Sequence, residues 1–197
     1  NPKDPAALAL RGSAILRKGN SDAALTDAVA ALQQAPEQRD ALALVAQIRI
    51  QQDDFPAAKQ ALETALAVHS DDQRLMLALA GVSERLGDSQ RTTSILRQLI
   101  EREPADLTHR TRLALYLAAS GQADAAEQVL RDAVDALPGE VQPKLQLVEL
   151  LRATQDGDAA ARALDSFIAA DPSDSEMSFA LATIRTQAGD IEQAQQV

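Results

Sequence analysis

The sequence lacks cysteine and tryptophan, and it holds one tyrosine, three phenylalanines and two histidines in 197 residues. Without cysteine there is no disulfide, no thiolate metal centre and no thiol nucleophile. With aromatics at 2%, the core must be built from Leu, Ala, Val and Ile, and no stacking platform for bases is available. Positive charge is also scarce. The net charge is -10 and the isoelectric point about 4.6, so the chain repels phosphate backbones and no nucleic-acid partner is expected. No run approaches the roughly 20 consecutive apolar residues of a membrane helix. The opening stretch, NPKDPAAL, contains no signal-peptide apolar region. No glycine-rich phosphate loop and no Gly-x-Ser-x-Gly elbow occur. What remains is 46% apolar residues, enough to bury a core.

The organising feature is a period. Pro2, Pro36, Pro104, Pro138 and Pro172 share a 34-residue step, with Ser70 on the vacant rung. Gly19, Gly87, Gly121 and Gly189 share the same step, with Asp53 and Gln155 completing the series. Small residues follow at Ala24, Ala58, Thr92, Ala126, Ala160 and Ala194, and a further column runs Ala31, Ala65, Leu99, Ala133, Phe167. Several columns sharing one period without insertions mean stacked supersecondary units. Each unit is expected to be two helices. In 107–140, Leu113, Ala114 and Leu117 form one apolar stripe, and Ala126, Val129, Leu130, Ala133, Val134 and Leu137 form a second. Gly121 turns the chain between them, and Pro138 ends the second. One two-helix unit cannot cover its own apolar face, so neighbours must stack.

This 34-residue helix–turn–helix pattern resembles the tetratricopeptide repeat family. The family's small residue in the first helix corresponds to Gly12, Ala46, Ala80, Ala114, Val148 and Ala182. Its usual aromatic positions carry Leu8, Ile15, Met76, Arg110, Leu62 and Leu130, a departure from the family pattern. The resemblance implies an all-α fold, an α-solenoid whose repeats wind into a right-handed superhelix. One repeat array over 1–197 is expected, with repeats at 5–38, 39–72, 73–106, 107–140 and 141–174 and a partial one at 175–197. Neither end shows a polar capping helix, so the expectation is a piece of a longer protein.

No catalytic constellation is expected, nor a metal or cofactor. His69 and His109 occupy different repeat positions and are expected to be solvent-facing turn residues with no ligand set beside them. In TQDGDAAA (154–161), Asp156 and Asp158 flank Gly157, but Ala159, Ala160 and Ala161 supply none of the further oxygens of a calcium loop. The stretch is expected to be the inter-helix turn of the fifth repeat, shifted by two residues.

By the same resemblance, first helices line a concave groove at repeat positions two, five, nine, twelve and thirteen. Leu16, Ile50, Leu77, Leu115, Leu145 and Phe179 then form a broken apolar strip, a seat for a helix or extended segment; packing of some of them between neighbouring first helices is the alternative. Position five runs Ala9, Ala43, Leu77, Thr111, Leu145, Phe179, without the Lys of carboxylate-clamping family members. The opening fourteen residues of the six repeats hold twelve Lys and Arg against four acids, a sum of +8, and the remainder sums to -18. That sorting fits either steering of an acidic partner or compensation of helix ends. The expected function is a non-catalytic scaffold binding a peptide or protein segment, anchored by Leu77, Leu115, Leu145 and Phe179 with polar contacts from Arg74, Arg85, Arg112 and Arg152. Its rivals are a spacer that self-associates end to end and a regulatory appendage of an enzyme. The Ala-, Gln- and Arg-rich composition is similar to bacterial arrays of the family, including envelope lipoproteins and polysaccharide-export scaffolds, which leans the expected location towards the periplasm.

Overall fold

A computed structural model describes residues 4–188, so Pro2, Gly189 and Ala194 lie outside the described residues. The described residues form helices joined by short turns, without strands. In order they are α1 (Pro5–Arg17), α2 (Ser21–Gln34), α3 (Arg39–Gln51), α4 (Phe55–Val68), α5 (Gln73–Arg85), α6 (Ser89–Arg102), α7 (Leu107–Ala119), α8 (Ala123–Ala136), α9 (Val141–Thr154), α10 (Gly157–Ala170) and α11 (Ser175–Ala188). Odd-numbered helices begin at 5, 39, 73, 107, 141 and 175, one every 34 residues. None of the described helices is long and apolar enough to cross a membrane.

Short polar side chains set the helix starts. Asp4, Asp72, Asp106 and Asp174 precede odd-numbered helices, and each carboxylate accepts a backbone N–H two or three residues on. Asn20, Asp54, Asp88 and Asp156 do the same for α2, α4, α6 and α10. Each cap satisfies a donor that the first helical turn leaves free. Gly19, Gly87 and Gly121 adopt φ of +84°, +72° and +76° at the ends of α1, α5 and α7. The following N–H then reaches back five residues, from Asn20 to Ile15, Asp88 to Ser83 and Gln122 to Leu117. Asp53 takes the same left-handed conformation at φ 56°, and Asp54 bonds Arg49. This is the six-to-one closure of a helix end in which the left-handed residue turns the chain.

The fifth turn departs from the pattern and corrects the expected two-residue shift. α10 begins at Gly157, on the same rung as Ser21, Phe55, Ser89 and Ala123, while α9 runs one residue longer than α7. Gln155 has φ -120°, its N–H bonds Leu151, and Gly157 is the first residue of a helix. Between repeats the prolines set a tight turn: Gln38 N–H bonds Ala35 O across Pro36, and Glu140 bonds Leu137 across Pro138.

The chain divides into two compact units, Asn1–Leu99 and Ile100–Val197. In the first, α1 packs on α2 and α3, and α4 bridges α3 and α5. Leu16, Ala24, Ala28, Leu44 and Ile48 form one core cluster and Leu8, Ala9, Ala31 and Ala41 another. Small residues at the helix contacts allow this close approach. At Gly12 a Cβ would lie 2.6 Å from Leu44 Cδ2 and 3.1 Å from Ala24 O. In the second unit, α8 lies on α7 and α9, and α10 on α9 and α11. Leu113, Leu117, Leu147, Leu164, Met177 and Leu181 are its fully buried large side chains. Each large side chain removed from water contributes about 1.5–3 kcal/mol.

Candidate functional site

Exposed apolar side chains locate the surfaces not used by the core. Phe179 on α11 is 76% exposed and Leu115 on α7 is 63% exposed. Leu145 on α9 and Leu77 on α5 are half-buried. Leu16 and Ala9, expected on the same wall, are instead 5% and 0% exposed. In the first repeat that helix face packs on α2 and α3, so the apolar strip does not include Leu16. Leu10, at 70% exposure, stands out from α1 where the family register placed no groove residue.

In the second unit, Leu145 and Phe179 share a groove of about 580 Å³ between α9 and α11. Gln142, Glu149, Arg152, Glu176 and Thr183 supply its polar rim, and Val148 and Ile184 contribute to its apolar floor. The Arg152 guanidinium donates from Nη2 to Glu149 Oε1 at 2.8 Å and from Nε to Oε2 at 3.1 Å. This fork holds the Glu149 carboxyl below the usual carboxylate range, with burial opposing it. Leu115 and Arg112 lie on α7 outside this groove. Thr111 of α7 donates to Gln146 Oε1 of α9 at 2.6 Å, a polar tie between the two first helices.

In the first unit, Leu77 and Arg85 share a hollow of about 390 Å³ with Ile50, Phe55 and Val82. The Arg85 guanidinium lies 5.0 Å from the Phe55 ring centroid and 3.9 Å from Asp53. Arg74 lines a separate hollow of about 240 Å³ with Leu10, Ser13, Asp40 and Gln47.

More than half of the sorted charge is already paired, part of it at helix ends. Of the twelve basic residues on first-helix windows, Arg11, Arg39, Arg49, Arg85, Lys144, Arg152 and Arg185 have a carboxylate within 4 Å. Arg39 meets Asp72, the cap of α5, at 2.8 Å, and Lys144 meets Asp174, the cap of α11, at 3.3 Å. Arg74 and Arg112 have no carboxylate within that distance among the described residues.

His109 departs from expectation. It is 4% exposed, not solvent-facing, and it lies beside Glu103 and Asp106 with all three ligand atoms within 4.8 Å of one another. A signal for its burial was present: the same repeat position holds Ala41, Leu75, Pro143 and Met177, which are buried, and only Ala7 of the first repeat is exposed. His69 is half-buried, its Nε2 3.4 Å from Glu37 O.

A family profile described as tetratricopeptide repeat matches residues 2–139, and a second of the same description matches 117–178. The chain belongs to the tetratricopeptide repeat family. Solved structures agree on the fold. A tetratricopeptide repeat protein from Parabacteroides merdae is 18% identical with a TM-score of 0.65, the match covering 97% of this chain and 76% of that one. YrrB, described as a tetratricopeptide repeat protein with an unusual peptide-binding site, is 18% identical with a TM-score of 0.63, over 90% of this chain and 91% of its own. PilF of Pseudomonas aeruginosa is 17% identical with a TM-score of 0.61, over 98% and 87%. No curated protein matches the chain. As a tetratricopeptide repeat protein it belongs to a class of protein–protein interaction scaffolds, which are generally non-catalytic.

Proposed function

We propose that this tetratricopeptide repeat chain docks a peptide or protein segment on the exposed faces of its first helices, with the groove between α9 and α11 as the principal seat in the second unit. The observation that carries this is Phe179: a 76% exposed aromatic ring on the wall of a groove it shares with Leu145. In a chain with four aromatic residues, exposing one beside an apolar trough costs burial that the core could have used. The occupant would place an apolar side chain against Leu145 and Phe179. Leu77 in its own hollow, and Leu115 on α7, are proposed as further apolar contacts. Arg74 and Arg112, free of carboxylate partners among the described residues, are the proposed contacts for acidic groups, whereas Arg85 and Arg152 would have to exchange an existing partner. The printed description of YrrB, a peptide-binding relative in fold, supports the class of ligand. The proposed organisation is one array with repeats at 5–38, 39–72, 73–106, 107–140 and 141–174 and a partial repeat after Ser175.

The test is selection of binders from a random peptide library on the intact chain, followed by titration against Phe179→Asp and Leu145→Asp. Phe179 is exposed and Leu145 only half-buried, so helicity by circular dichroism should persist. Loss of affinity by about tenfold or more, the scale of a buried aromatic anchor, is expected. Unchanged affinity in both variants excludes this groove.

A further inference from the structure

Three residues within one short stretch are arranged in a way the scaffold does not need. Asp106 caps α7: one carboxylate oxygen, Oδ1, accepts the Thr108 N–H at 2.8 Å. Its other oxygen, Oδ2, faces His109 Nε2 at 3.7 Å, and Glu103 Oε2 faces the same nitrogen at 3.4 Å. His109 is 4% exposed, and neither of its ring nitrogens has a hydrogen-bond partner.

A hydrogen-bonded ion pair does not account for these distances. A charge-assisted N–H···O bond draws its heavy atoms to about 2.7–2.9 Å. Here both oxygens stand off from a buried ring nitrogen that has no hydrogen-bond partner. A buried ring nitrogen facing two carboxylate oxygens at these distances offers a donor set into which a cation fits. Donors bound at about 2.0–2.2 Å to a tetrahedral ion are about 3.3–3.5 Å apart. The Nε2 separation from Glu103 matches that edge, and the separation from Asp106 is slightly longer.

Comparison with the other repeats isolates the feature. Asp72 and Asp174, which cap α5 and α11, have Arg39 and Lys144 beside them. Gln73 stands 34 residues after Arg39, so the matching position offers Asp106 no charge. In the His109 column the other repeats place Ala7, Ala41, Leu75, Pro143 and Met177, none of whose side chains coordinates through nitrogen or oxygen.

We propose that Glu103, Asp106 and His109 form a site for a divalent transition-metal cation of the zinc class, through Glu103 Oε2, Asp106 Oδ2 and His109 Nε2. One nitrogen and two carboxylate oxygens suit a borderline cation better than calcium, which takes six to eight oxygens. Three protein ligands leave the fourth position of a tetrahedral ion to water or to a donor from a docked partner. All three ligands belong to the turn and first helical turn of α7, so the site is local to the second unit.

The experiment is calorimetric titration of the untagged full chain with zinc chloride, with cobalt(II) absorption as a reporter of tetrahedral coordination. One saturable equivalent is expected. Glu103→Gln, a change in the turn before α7, and His109→Leu, which copies Leu75 of the same column, should each weaken it at least about tenfold. His69→Ala should leave it unchanged. Absence of a one-to-one phase overturns the assignment, and so does a phase that persists in Glu103→Gln or disappears in His69→Ala.

Discussion

Gly12 shows how little space a first helix leaves at its contact with neighbours. It sits in the family's small-residue column, where Ala46, Ala80 and Ala114 are 1%, 0% and 1% exposed. A side chain at Gly12 would meet Leu44 Cδ2 at 2.6 Å, Ala24 O at 3.1 Å and Asp27 Cβ at 3.2 Å. The leucine end can turn aside, but the carbonyl belongs to the backbone of α2. Gly12→Val should therefore destabilise the chain by about 1–3 kcal/mol, the cost of overpacking. The gain in helix propensity over glycine, less than about 1 kcal/mol, offsets only part of this. Denaturant midpoints of the two proteins measure it, and an unchanged midpoint would mean that α1 and α2 move apart freely. Asp27, next to that contact, is buried at 6% exposure and accepts from Arg11 Nε at 2.7 Å. The Arg11 hydrogen bond holds its carboxyl below the usual range, against burial, which raises it. A folded-state value below the unfolded one stabilises the fold above the unfolded value of about 3.9, and that contribution is lost as pH falls through the folded value. Asp27→Asn should be less stable than the parent at pH 7. Its further loss on acidification below about pH 4 should be smaller than the parent's. An equal loss in both would show that other carboxylates carry the acid response.

At the scale of the helix and its turn, two members of the capping series are incomplete, Gln122 before α8 and Glu140 before α9. Gln122 precedes α8 with φ -102° and ψ 58°, close to Asp54 at -85° and 67°, yet its side chain makes no cap bond. Gln122→Asp places a short carboxylate where Asn20 and Asp54 already work, and should raise stability by about 0.5–1 kcal/mol. A thermal scan reads the gain, and a fall in midpoint would show that Asp at 122 does not cap this start. The turns also show what periodicity makes legible. Gly19, Gly87 and Gly121 share a rung because each takes a left-handed backbone, and Asp53 keeps the conformation without the glycine. Gln155 keeps the rung but not the conformation, because a longer α9 closes without the six-to-one bond. A column identifies where a turn must be, whereas its local hydrogen bonds depend on the residue that fills it. The surface was less legible for a related reason. Which first-helix positions reach solvent depends on the neighbours each helix meets. Leu16 is lost to a cluster with Leu44 and Ile48, while Phe179 on α11 stays open. His109 was visible as a member of a column buried in most repeats, but its approach to Glu103 arises from a turn geometry that spacing does not encode.

For the whole chain the decisive quantity is how much of its positive charge remains available. The net charge of -10 opposes the approach of an acidic partner at long range. Most of the cations that made first-helix windows look positive are already matched, two of them, Arg39 and Lys144, with the carboxylates that cap the next first helix. Cations held in such pairs are not free to meet a partner's acidic groups. A partner is therefore expected to be held mainly by apolar contact at Phe179 and Leu145. Raising salt from 0.1 M to 1 M shortens the screening length from about 10 Å to about 3 Å. Affinity for a selected peptide should then change by less than about threefold, while Phe179→Asp removes most of it. A fall of an order of magnitude or more with salt would reverse that ranking and make Arg74 and Arg112 the principal contacts. In that case Arg112→Glu should abolish the salt response and Phe179→Asp should leave it intact, so the same titration on two variants separates apolar docking from electrostatic capture.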